Sequence, residues 1–192
     1  MGEAPAAARL DQPVTDARLA AWRQHVGPSW WCHDLDRGGA RLRLIGLDSA
    51  LMGSAHPDEA LQAAFLDEAL AARDGRPVLL FLHLPPFLDD PDDPRITTHC
   101  LMPEPRHWLL DRCRSGGVAA IAAGHIHRHT VSDWQGIPIV TAPATAFVNV
   151  PADPPASMLP LRTGYLRWRF DGETLGHQVI RPRLFLSTDA SN

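Results

Sequence analysis

Two short apolar runs constrain this chain more than any other feature: "PVLLFLH" (77–83) and "VAAIAA" (118–123), each the length of one strand. A strand without polar alternation must be covered on both faces, the condition of a strand inside a parallel sheet. The segment between them and the one before them fit the helices such a sheet needs. Pro57 suits a first helical position, Leu61, Phe65, Leu66 and Leu70 form an apolar stripe, and Asp74-Gly75 ends it. "RHWLLDRCR" (106–114) reads as a second helix stopped by Gly116-Gly117. "RLRLIGLDS" (41–49) starts in alternation and turns apolar, as a strand entering a core does. The first half is therefore a β-α-β-α-β pattern of the α/β class. From Thr130 the rhythm changes. "TVSDW", "IPIVTA", "GYLRWRF" and "TLGHQVI" are short strands divided by turn signals at Gln135-Gly136 and Asp171-Gly172, which favours antiparallel pairing. Ahead of the first strand, "VTDARLAAWRQHV" (14–26) spaces Leu19, Trp22 and Val26 as one face of a helix.

The 192 residues suit one domain, expected over 14–182, with flexible tails at 1–13 and 183–192. "LDDPDDPRITTHCLMPEP" (88–105) and "VPADPPASMLPLRT" (150–163) are longer than simple connections, a length typical of functional lids or of disorder. A net charge of -4 gives no general basic surface, so nucleic acid is not the expected partner. Cys32, Cys100 and Cys113 show no CxxC spacing and read as free thiols of a reducing compartment. No signal peptide and no apolar run of roughly 18 residues is present, so the expected location is cytoplasmic, away from membranes.

Chemistry concentrates where the two apolar runs end. His83 closes the first, and "GHIHRH" follows the second, placing His125 and His127 just beyond Gly124. In an open α/β sheet, ligands bind outside the carboxyl ends of the strands, so these imidazoles are expected to converge on one edge. Gly124 is expected to turn the backbone, and Pro85-Pro86 to stiffen the exit from His83. Histidine is the commonest metal ligand, and three imidazoles suffice for a mononuclear zinc site with an open position. Asp48, at the end of "LIGLDS", either orients a histidine from behind or merely starts a turn. His129 is expected at the surface, or at most behind the ligands. His25, His33, His56, His99, His107 and His177 have no such context.

"FLHLPPF" followed by "AAGHIHRH" resembles the last two metal-binding motifs of the calcineurin-like metallophosphoesterases, in particular the bacterial cyclic-nucleotide-phosphodiesterase-like branch. "RLRLIGLDS" and "GIPIVTAPAT" resemble the stretches that flank those motifs. The resemblance implies a β-sandwich flanked by helices and a centre of two divalent ions, manganese, iron or zinc, acting on a phosphate ester such as a cyclic nucleotide. It also implies that His83 and His125 bind one ion and His127 the other. The family's D-x-H, G-D-x-x-D and G-N-H-D or G-N-H-E motifs are absent from these residues, as if the chain began just past the third. That leaves three expectations: part of an active phosphoesterase, a noncatalytic homologue serving as a binding or structural module, or a mononuclear metal-binding protein. Sheet edges that the missing strands would pair are expected to be open to self-association.

Overall fold

The computed structural model describes residues 13–147 and 162–181. The stretch 150–163 and the expected tails lie almost wholly outside these residues. Helix α1 (Asp16–His25) leads to strand β1 (Trp31–Arg37), which turns back into β2 (Ala40–Gly46). The turn is a two-residue Gly38-Gly39 link with φ of 58° and 85°, the paired positive values a tight hairpin of this hand requires. Helix α2 (Pro57–Ala71), β3 (Val78–Phe81), α3 (Pro103–Ser115) and β4 (Val118–Ala123) complete the alternating half. Strands β5 (Thr130–Trp134), β6 (Ile137–Thr141), β7 (Tyr165–Phe170) and β8 (Leu175–Ile180) follow.

One mixed sheet has the order β1-β2-β3-β4-β6-β5, and β7-β8 form a separate two-stranded sheet. Pairing of β2 with β3 and of β3 with β4 is parallel, as the buried runs require. The second half departs from the expectation at one strand. β6 is antiparallel to β5 but lies parallel to β4, because β5 swings to the outer edge and returns β6 beside the central strands. β1 was not foreseen, and it forms the opposite, antiparallel edge.

The two faces of the sheet are covered differently. Ile45, Leu80, Ile121 and Ile139 pack with Leu66, Leu70, Leu109 and Leu110 of α2 and α3 in one core. Leu79, Ala120 and Ala122 face the other way, against Trp168 and Leu175 of the β7-β8 hairpin. The result is the expected helix-flanked sandwich, with only a hairpin as its second sheet among the described residues.

The helix stripes are corrected by burial. Trp22 of α1 and Val26 just past its end are 51% and 65% exposed, leaving Leu19 as that helix's buried residue. Leu61 of α2 is also exposed, while Gln62 is buried because its side-chain amide meets both the N–H and the carbonyl of Asp48. His56, read as contextless, caps α2: its Nδ1 accepts the Asp58 N–H at 3.1 Å. Among the described residues, no helix is long and apolar enough to cross a membrane.

Candidate metal centre

The carboxyl ends of β3 and β4 bring His83 and His125 together as their positions imply. The backbone first ties the two exits to each other: Gly124 N–H donates to the His83 carbonyl at 3.0 Å. The turn beyond it is not made by the glycine. Gly124 does not adopt positive φ, whereas His125 and His127 do, at 66° and 52°. Ile126 N–H closes back on the Gly124 carbonyl at 2.7 Å, a three-residue turn centred on His125. The chain thus bends at the histidines themselves. Side chains at left-handed positions are uncommon and strained, and such strain gathers at functional sites.

His125 Nδ1 stands 3.0 Å from His83 Nε2, with the rings edge to face. The other nitrogen of His125 lies 2.8 Å from the carbonyl of Thr98, in the long 88–105 segment. A carbonyl only accepts, so the Nε2 atom carries the proton and Nδ1 turns a lone pair toward His83. Partial burial holds both imidazoles below the ordinary histidine pKa, and their neighbouring imidazoles add to the effect. Both are therefore neutral near pH 7, the form that can donate to a cation.

His127 packs edge to face on Phe147, ring centroids 4.7 Å apart. Its Nδ1 is buried and has no hydrogen-bond partner among the described residues. Buried polar atoms are normally paired, so this orphan marks a position where a partner is due.

Asp48 lies half-buried beside this edge, and burial raises its carboxyl pKa while the His83 imidazole opposes the rise. Its Oδ1 accepts the Ala50 N–H at 3.0 Å, starting a turn. Next to it, Ser49 Oγ accepts the Leu84 N–H at 2.9 Å and fixes the exit from His83. His129 meets a histidine that sequence reasoning set aside: its Nε2 is 3.2 Å from His177 Nε2 on β8. His99 was also passed over, yet its ring centroid is 6.1 Å from that of His125. The signal for both contacts is absent from local spacing, because each joins segments far apart in the chain. Among the described residues, no group of three or more His, Cys, Asp or Glu side chains is arranged to hold a metal ion. Cys32, Cys100 and Cys113 are free thiols, Cys113 pushed up to about 12 by burial.

Over 122 residues the chain is 34% identical to a probable cyclic nucleotide phosphodiesterase of Rhodococcus erythropolis, covering 61% of this chain and 36% of that protein. It is 35% identical over 111 residues to a cAMP/cGMP dual specificity phosphodiesterase of Mycobacterium tuberculosis, covering 56% of this chain and 33% of that one. The chain therefore matches about a third of the length of these curated relatives. Its fold is similar to GAP50, the anchor in the inner membrane complex of Plasmodium, with a TM-score of 0.60 at 11% identity over 79% of this chain and 49% of that chain. No family model matches the chain.

Proposed function

The chain is related to the calcineurin-like metallophosphoesterases, and from that premise we propose that it supplies part of the metal centre of a phosphoesterase. The observation that carries the reading is the opposition of His125 Nδ1 and His83 Nε2 at 3.0 Å, with the His125 proton held on the far nitrogen by Thr98. The two facing imidazole nitrogens, 3.0 Å apart, are close enough that both would be donors to one bound cation. In this reading His83 and His125 hold one ion, and the orphaned His127 serves the second. Imidazole donors suit manganese, iron or zinc.

When bound, a divalent ion supplies Lewis acidity toward a phosphoryl oxygen and acidifies water near neutral pH. The chain's own residues contribute neutrality and orientation. Burial keeps His83 and His125 unprotonated. The Thr98 carbonyl fixes one ring, and the Ser49 hydroxyl anchors the backbone that presents the other. The Asp48 carboxylate acts on His83 through its charge alone, favouring positive charge at the site. The names of the curated relatives make a cyclic nucleotide the proposed substrate, within the wider class of phosphodiesters and phosphomonoesters.

A noncatalytic binding or structural role is the alternative, set by the lack, among the described residues, of three or more His, Cys, Asp or Glu side chains arranged to hold a metal ion. Metal analysis and hydrolysis assays decide between the two. The phosphoesterase reading expects Mn2+-dependent turnover of bis(p-nitrophenyl) phosphate and of 3′,5′-cyclic AMP. His125→Ala should lower that turnover on the order of 100-fold or more. Bound metal without turnover would leave the binding role standing and remove the catalytic one.

A further inference from the structure

The long 88–105 segment contains no helix or strand over its loop portion, yet it delivers one defined atom, the Thr98 carbonyl, to His125. Something must give a stretch with so little secondary structure a single shape. Arg106, in the first turn of α3, is 1% exposed and is among the largest fully buried side chains of the molecule. Its Nη1 donates to the carbonyls of Pro91 and Asp93, both at 2.9 Å. Its Nη2 donates to the Leu101 carbonyl at 2.9 Å and lies 3.9 Å from Cys100 Sγ. Among the described residues no carboxylate is a hydrogen-bond partner of this guanidinium, so main-chain oxygens meet its Nη donors, while its Nε is buried without a partner.

We propose that Arg106 is a positioning residue for the histidine pair, its guanidinium clamping both ends of the 91–101 loop so that Thr98 holds His125 in one tautomer. The functional consequence rests on the phosphoesterase reading; the clamp does not. A guanidinium stays charged and presents its donors as a rigid planar fork, so the carbonyls must gather around it in a fixed arrangement. Pro91 and Asp93 are gathered from one end of the loop and Leu101 from the other. Between them the chain bulges toward the β4 exit, where Thr98 reaches His125 Nε2 at 2.8 Å and His99 lies alongside. Leu101 N–H adds a second fastening, to the Pro85 carbonyl at 3.0 Å, just after His83. The clamp therefore links the helix, the loop and both histidine exits. A single His125 tautomer keeps the Nδ1 lone pair facing His83; a mixture would turn a proton into the same space.

The test reads the imidazole nitrogens of His125 by long-range proton–nitrogen NMR on the metal-free protein. Wild type should show one tautomer, with the proton on Nε2. In Arg106→Gln the expected result is a mixture of tautomers and at least a ~10-fold loss of amide-exchange protection confined to residues 94–101. Protection in β4 should be retained, which a general loss of structure would not allow. Zn2+ affinity of the same variant should fall roughly 10- to 100-fold. A single Nε2–H tautomer in a folded Arg106→Gln protein would overturn the proposal. Should that variant not fold, Arg106→Lys decides on the same spectrum, since an ammonium lacks the fork that spans both loop ends: mixed tautomers support the clamp and a single one refutes it. Because the spectrum needs neither metal nor substrate, its failure is distinct from a failure of the phosphoesterase reading, which only the turnover assay addresses.

Discussion

His125 and His127 both occupy the left-handed region, with φ of 66° and 52°. For a residue with a Cβ this conformation costs roughly 1–2 kcal/mol relative to its ordinary well. Neither side chain recovers that cost by deep burial, since both are only partly covered. The strain persists because the surrounding bonds impose it: Gly124 N–H to the His83 carbonyl, and Ile126 N–H to the Gly124 carbonyl. Glycine would adopt the same backbone freely. His127→Gly should therefore be more stable than His127→Ala by about 1 kcal/mol, although glycine is elsewhere the more costly residue. The same ordering should hold at position 125. Urea denaturation of the four variants checks this, and an Ala variant as stable as its Gly counterpart would show that the backbone relaxes when the ring is removed.

At the scale of the element, β2 is held by a buried charge at the edge of the sheet away from the histidines. Arg43 is 8% exposed. Its Nε and Nη2 donate to the two oxygens of Asp34 at 2.7 and 2.8 Å, and Nη1 donates to the Ala69 carbonyl near the end of α2 at 2.6 Å. One side chain thus joins β1, β2 and α2, and its hydrogen bonds hold the Asp34 carboxyl below the usual carboxylate range. Arg43→Met should cost about 3 kcal/mol, because it leaves Asp34 and a helix carbonyl without a donor. Asp34→Asn should cost less, and a double-mutant cycle should return a coupling of at least ~1 kcal/mol. Additive losses would mean that Arg43 works through packing alone. This same edge explains what the sequence hid. "WCHDLDR" carries no core-facing stripe because β1 is an outer strand, exposed from His33 to Arg37, so periodicity had nothing to report and only Gly38-Gly39 betrayed the hairpin. The buried central strands, by contrast, announced themselves by unbroken apolar runs. The meeting of His83 with His125 was legible for the same reason, since strand ends place side chains predictably. Gln62, Thr98 and Arg106 were not: each acts through main-chain atoms, which no spacing of side chains records.

For the whole molecule, the asymmetry between the sheet's two faces sets where it should yield first. Two helices cover one face with fully buried leucines such as Leu66 and Leu109. The opposite face buries Leu79, Ala120 and Ala122 beneath Trp168 and Leu175, both only partly covered themselves. β7 and β8 pair only with each other, so each leaves a strand edge unpaired among the described residues. β4 feels both sides at once: Ile121 belongs to the helical core, Ala122 to the hairpin side, and the next residues carry the histidines. Removing the indole should uncover Leu79 and Ala120 together. Trp168→Ala should cost about 2 kcal/mol, less than the 3–5 kcal/mol of a fully buried tryptophan because the ring is partly exposed already. Leu109→Ala, on the helical face, should cost as much or more yet leave the protein no stickier, since α2 and α3 still cover that core. Trp168→Ala should differ in kind as well as size. With an apolar face uncovered beside two strand edges already unpaired among the described residues, its sedimentation should become concentration-dependent at temperatures where it remains folded. Association of the Leu109→Ala protein to the same degree would place the vulnerable surface somewhere other than beneath the hairpin.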